Sequence, residues 1–183
     1  MPPELSIAGE VISDDSDCYV IAEVGHNHQG SLEGCKELFR QAKDCGASAV
    51  KLQKRNNREL YTSELYNRPY DNRNSYGASY GEHREALEFG LEEYTELKTY
   101  CEEIDITFFA TAFDFSSADF LEGLGVPAYK IASGDLKNTP LLEHVAQFGK
   151  PMIVSTGASV LEDVKRAYDT IMPINPQLCL MQC

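Results

Sequence analysis

Two lysines stand where a sequence seldom places charge: Lys51 within AVKLQ at 49–53 and Lys130 within AYKIA at 128–132. Both runs are otherwise apolar and strand-forming, and a lysine buried there is costly unless an anion meets it. Two such lysines, on strands two apart, would clamp a phosphate, or a phosphate plus a carboxylate. Thr111, Ser133, Ser155 and Thr156 supply short hydroxyls suited to the remaining phosphate oxygens. One strand lysine alone is equally well explained by an ion pair with a neighbouring carboxylate; two among four hydroxyls favour a bound anion. Glu23 and Asp135 are the carboxylates assigned acid/base work. Carboxylates beside positive charge are held ionised, which suits proton abstraction or the orientation of water. Glu23 read by itself serves as readily as the salt-bridge partner of a lysine.

His26 and His28 form an H-x-H directly after the first apolar run. That pattern opens the two-histidine metal sites of some barrel hydrolases, which also need histidines after the fifth and sixth strands. Ser155, Thr156 and Gln182 occupy those places. The hydrolase reading is therefore set aside, and His28 is placed at the substrate or behind the residues that touch it. A long polar insertion, residues 54–88, carries Tyr61, Tyr66, Tyr70, Tyr76 and Tyr80 together with Arg55, Arg58, Arg68, Arg73 and Arg84. Long loops at a barrel mouth often close over substrate. A basic, tyrosine-rich lid suits a polar, anionic or sugar-like ligand; the plainer alternative is a solvated or subunit-contact loop.

Positioning these residues takes a repeated strand–helix rhythm. A short hairpin is expected ahead of the main domain, over residues 1–17. Apolar runs at 18–24, 47–53, 106–110, 128–132, 151–155 and 177–182 read as strands, and helices are expected at 32–44, 91–103, 116–123, 139–148 and 159–171. Ser31 offers an N-cap to the first helix. Such alternation means parallel strands with helical crossovers. GHNHQG at 25–30 does not match a dinucleotide loop, and polar candidates follow every strand, which favours a TIM-type β/α barrel over an open sheet. Six of eight βα units are visible, so residues 18–183 are expected to form a barrel interrupted after its sixth strand.

Bulk composition narrows the classes. The 183 residues are 43% hydrophobic and 25% charged, ordinary for one globular domain. A net charge of −13 argues against nucleic acid or an acidic membrane surface as partner. No apolar run approaches the ~20 residues of a membrane span, and the start lacks the character of a signal peptide. Six cysteines, with no CxxC pair and no zinc-ligand spacing, read as reduced, mostly core thiols of a cytoplasmic protein.

Six motifs in register extend across nearly the whole chain: IAEVGHNHQG at 21–30, VKLQK at 50–54, YGEHREALEF at 80–89, FFATAFD at 108–114, YKIASGD at 129–135 and GKPMIVSTG at 149–157. The sequence resembles the N-acetylneuraminate (sialic acid) synthase family. That resemblance implies condensation of phosphoenolpyruvate with an N-acetylated aldose such as N-acetylmannosamine, releasing phosphate. It implies that Lys51, Thr111, Lys130, Ser133 and Ser155 hold phosphoenolpyruvate, and that Glu23 and Asp135 match the catalytic carboxylates, the second being Asp where Glu is common. Asn27, His28 and Gln53 would touch the sugar or support what does. A divalent metal, Mn or Mg, is implied as Lewis acid, with Gln182 where many members place a ligand histidine. A second ligand histidine and a small C-terminal domain that completes a neighbouring subunit's site are expected beyond residue 183, in a homodimer of the full-length protein. The chain alone is expected to bind substrate poorly and to turn over little. Related acceptors would lead to legionaminic or pseudaminic acid. Other readings are a Schiff-base aldolase using Lys130, or an inactive barrel portion kept as a self-associating interaction module.

Overall fold

The computed structural model describes residues 4–183; residues 1–3 of the expected hairpin segment lie outside the described residues. Strands β1 (Leu5–Ile7) and β2 (Glu10–Ile12) pair antiparallel, with Leu5 opposite Ile12. Their two-residue turn puts both Ala8 and Gly9 at positive φ, 51° and 87°. That is the conformation whose twist matches flanking strands, and glycine adopts it without steric cost. Ile7 is fully buried and ties the hairpin to the main core.

The expected rhythm follows. Strand β3 (Ile21–Gly25) leads to α1 (Leu32–Asp44), where the Ser31 hydroxyl accepts from the Gly34 N–H at 3.0 Å. Strand β4 (Ala49–Lys54) opens into the insertion, which is folded: α2 (Asn57–Leu60), α3 (Ser63–Tyr66) and α4 (Tyr80–Glu85), the last started by a capping box of Ser79 and Glu82. Then come α5 (Leu91–Glu103), β5 (Thr107–Ala112) and α6 (Phe115–Leu124). After β6 (Tyr129–Ile131) a 3₁₀ turn, Ser133–Asp135, precedes α7 (Thr139–Ala146). Strand β7 (Met152–Ser155), α8 (Leu161–Ile171) and β8 (Leu178–Met181) complete the described chain. All six main strands are parallel and lie in sequence order, β3-β4-β5-β6-β7-β8. The first begins later than its apolar run, since Cys18 is exposed and Val20 half exposed. Cys35 and Cys101 are core thiols as expected, whereas Cys45 and Cys183 are exposed.

Side chains alternate faces along a strand. One face of the sheet carries Val50, Leu52, Phe108, Ala110, Tyr129, Ile131, Met152 and Val154, buried against helix residues including Phe39, Leu97, Leu121 and Leu141. The register Glu23↔Lys51, Gln53↔Thr111, Thr111↔Lys130 and Lys130↔Ile153 places Glu23, Lys51, Gln53, Thr111, Lys130 and Ser155 together on the other face.

The insertion is seated against the loop after β3. Gly30 has φ +78°, and a Cβ there would lie 2.6 Å from the Ala86 carbonyl oxygen. Gly30→Ala therefore combines backbone strain with a clash against backbone and is expected to cost about 2–4 kcal/mol. Urea denaturation checks this; an unchanged midpoint would show that loop and insertion are not packed together.

Candidate active site

Lys51 is 3% exposed. Its ammonium donates to Thr111 Oγ1 at 2.8 Å and pairs with the Glu23 carboxylate. Burial pushes the Lys51 pKa down, opposed by the negative charge of Glu23. One β-strand separates it from Lys130, which donates to Ser155 Oγ at 2.5 Å and to the Ile131 carbonyl at 2.6 Å. Burial first, then the charge of Lys51, lower the Lys130 pKa to about 8. The two ammonium groups thus share one region of the sheet face. Among the described residues no carboxylate lies within ion-pair distance of Lys130. The salt-bridge explanation holds for Lys51 and fails for Lys130: two cations face a single, half-exposed carboxylate.

The other expected residues divide. Ser133 Oγ accepts from the Gly157 N–H at 3.1 Å, at the end of the same face, and lies 3.9 Å from Cys183 Sγ. Thr156, expected among the hydroxyls around the anion, donates its O–H to the Met181 carbonyl at 2.9 Å and braces two strand ends. Asp135 sits in the 3₁₀ turn, half buried. Burial raises its pKa, Asn138 and the charge of Arg55 oppose this, and Asp114 adds to it. Among the described residues Asp135 forms no ion pair with Lys51, whereas Glu23 does. Gln53 links the two groups, donating to Glu23 Oε1 at 3.3 Å while accepting from Arg55 Nη2 at 2.7 Å. Exposed Asn27 donates its amide to the Val24 carbonyl at 2.8 Å and stabilises the loop that follows β3.

His28 supports that loop from inside. It is 4% exposed, stacks on Phe89 at 4.2 Å, and accepts from the Gly30 N–H through Nδ1 at 3.1 Å. Burial, then the charge of His26, lower its pKa to about 4. An unfolded histidine takes up its proton near pH 6.5. The stabilisation by neutral His28 is therefore complete above pH 6.5 and lost as pH falls towards 4, by about 3 kcal/mol in all. Urea titrations at pH 7 and 5 are expected to show a smaller difference in His28→Asn than in the unaltered protein; equal differences would contradict this.

The residues do not by themselves compose a metal site. Among the described residues no three His, Cys, Asp or Glu side chains converge as ligands. Gln182 is exposed and donates to the adjacent Cys183 carbonyl at 3.3 Å; a lone neutral amide is a poor anchor for a divalent ion.

Arg55, expected within the insertion, lies one residue past β4, donates to Gln53 and stacks on Phe113, 3.7 Å from the ring centre. Lys54 points to the opposite face, donating to the Phe89 carbonyl at 2.7 Å and lying over the Phe120 ring. The expected lid is a packed wall: Tyr61, Tyr70 and Tyr80 stack edge-on at 5.1 and 5.5 Å, and Tyr70 packs on His83.

Residues 38–183 match the model of the NeuB family. The chain is 40% identical to human N-acetylneuraminate-9-phosphate synthase over 184 residues, covering 100% of this chain and 51% of that protein. It is 38% identical over 172 residues to the N,N'-diacetyllegionaminic acid synthase of Legionella pneumophila, covering 91% and 48%. Its structure superposes on the sialic acid synthetase of Leptospira borgpetersenii with a TM-score of 0.85 and 29% identity, over 100% of this chain and 60% of the other. The fold is that of the TIM-type β/α barrels, and the chain spans about half the length of the curated relatives it matches.

Proposed function

This chain belongs to the NeuB family, and from that premise we propose that residues 18–183 are the phosphoenolpyruvate-binding barrel portion of a nonulosonic acid synthase, with residues 1–17 as a separate hairpin. The proposed reaction joins phosphoenolpyruvate to an N-acetylated aldose such as N-acetylmannosamine; legionaminate- and pseudaminate-type acceptors are sister cases of the same chemistry. The observation that carries the reading is Lys130, a half-buried cation with no carboxylate of its own, beside Lys51. Phosphoenolpyruvate brings a phosphate and a carboxylate, and the pair would take both. Thr111 and Ser155 accept from the lysines, and their O–H groups are assigned to the ligand's remaining oxygens.

In the proposed reaction the enol carbon forms a bond to the aldehyde carbon, whose oxygen takes a proton. Water adds at the neighbouring carbon, and its C–O bond to phosphate then breaks, leaving a keto group and inorganic phosphate. Glu23, half exposed and held by Lys51 and Gln53, is proposed to receive the water's proton. Asp135 is the second carboxylate proposed, acting from the Arg55 side. Metal ions serve such chemistry by polarising the aldehyde; Gln182 alone does not fit one, and no step above depends on a metal.

A second reading has one observation in its favour. A lysine with a pKa near 8 is suited to Schiff-base formation. Borohydride reduction in the presence of pyruvate separates the two. The synthase reading expects phosphoenolpyruvate to bind in calorimetry and no reduced pyruvate adduct on Lys130. A trapped adduct, or failure to bind phosphoenolpyruvate at millimolar concentration, would overturn it.

A further inference from the structure

The outer part of the insertion encloses a cavity of its own. The loop that forms it is pinned at its base: Pro69 bridges Ser79 antiparallel, the Tyr70 N–H donates to the Ala78 carbonyl at 3.0 Å, and the Tyr80 N–H donates to the Arg68 carbonyl at 2.9 Å. Between this loop and the one that follows β3 lies a space of about 590 Å³, within the range of cavities that hold small molecules. Glu23, Lys51, Gln53, Lys130 and Ser155 do not line it. The cavity is therefore separate from the lysine face.

Its lining departs from the character of the chain. The sequence carries 29 acids against 16 Lys and Arg, yet no Asp or Glu contributes to this wall. One cation does, Arg73, and among the described residues no carboxylate pairs with it. Asn27 and Gln29 bring neutral amides from the β3 side, Asn72 and Asn74 from the insertion. Asn72 Oδ1 accepts from the Asn74 N–H at 2.9 Å and holds the loop backbone. The His83 ring packs on Tyr70 at 4.6 Å and on Tyr76 at 5.7 Å. Its Nδ1 accepts from the Tyr76 N–H at 3.2 Å, so the imidazole proton sits on Nε2. Amides donate and accept together, as vicinal hydroxyls require. Aromatic rings supply apolar faces for the C–H side of a sugar. A guanidinium without a counter-ion takes a carboxylate through paired hydrogen bonds. A divalent metal finds no carboxylate here, and a chain of phosphates finds only one cation.

We propose that the cavity between the loop after β3 and residues 70–76 is a second binding site, which takes a small acidic sugar with its carboxylate on Arg73 and its ring against Tyr76. The product of the proposed reaction, a nonulosonic acid, belongs to that class. The protein would then hold its own product outside the reaction face while phosphoenolpyruvate occupies the lysines. The choice of ligand rests on the synthase reading; the site itself rests on the lining.

The test is calorimetry on the whole chain with N-acetylneuraminic acid and, separately, with its two halves, N-acetylmannosamine and pyruvate. Each is titrated with and without saturating phosphoenolpyruvate. The acid is expected to bind roughly tenfold tighter than either half, and phosphoenolpyruvate should change its affinity by less than about twofold. Arg73→Gln should lower the affinity for the acid to about that of the neutral sugar, and Arg73→Lys should retain part of it. Tyr76→Ala should weaken the acid and N-acetylmannosamine alike. All three variants should keep phosphoenolpyruvate affinity within about twofold, which also reports that they are folded. Acid that binds no tighter than its halves, including no binding at all, would overturn the proposal. So would displacement of the acid by phosphoenolpyruvate, which would put it on the lysine face, or an Arg73→Gln protein with undiminished affinity. Absence of phosphoenolpyruvate binding, with the acid still held through Arg73, would instead sink the synthase reading and leave this site standing.

Discussion

Lys51→Met is expected to weaken phosphoenolpyruvate binding about 100-fold, or ~3 kcal/mol, without unfolding the protein. The two halves of that expectation have separate causes. Lys51 is buried, so its charge acts on a ligand with little screening, and removing a desolvated partner of an anion costs several times what a surface charge would. Stability should change by about 1 kcal/mol or less, because an apolar chain of similar length restores the packing and relieves a desolvated ammonium. Glu23, left behind, is half exposed and can be hydrated. Calorimetry with phosphoenolpyruvate and a denaturation curve read the two quantities independently. A variant that lost affinity only through unfolding would show both changes together.

Lys130 should give the second large effect, with a distinctive pH dependence. In the free protein it keeps its proton below about pH 8 and sheds it above. A bound anion favours the protonated form, so affinity should fall by up to about tenfold per pH unit once pH passes 8. Lys130→Met should lose about 100-fold at pH 7 and show no such decline. Lys130→Arg keeps its charge at all these values and should bind with a flat profile. Stability runs the other way. An unfolded lysine holds its proton to about pH 10.4, so the folded state gains relative stability as pH rises from 8 towards 10. A wild-type affinity unchanged between pH 7 and 9.5 would mean that Lys130 does not contact the anion.

Much of this site was legible because strands impose a period of two. Lys51, Thr111, Lys130 and Ser155 were found as polar exceptions in apolar runs, and parallel register then carries them to one face. Thr156 lies just beyond β7, where alternation stops, and its hydroxyl donates to a neighbouring carbonyl. Asp135 lies in the 3₁₀ turn after β6, outside the reach of strand alternation, and feels the charge of Arg55. Arg55 lies one residue past β4, where alternation no longer predicts a side chain's direction. The insertion was legible in composition and opaque in structure. Its helices of four to six residues are too short to show a helical period, and the contacts that organise it join residues far apart in sequence, such as His26 with Glu88.

The central claim is that one anion touches both Lys51 and Lys130. The most direct measurement is nitrogen NMR of the lysine Nζ groups during a phosphoenolpyruvate titration, with signals assigned through Lys51→Arg and Lys130→Arg. Both Nζ resonances are expected to move along one binding curve with a common midpoint. If only one moved, or the two moved at different concentrations, the lysines would not be acting on the same ligand.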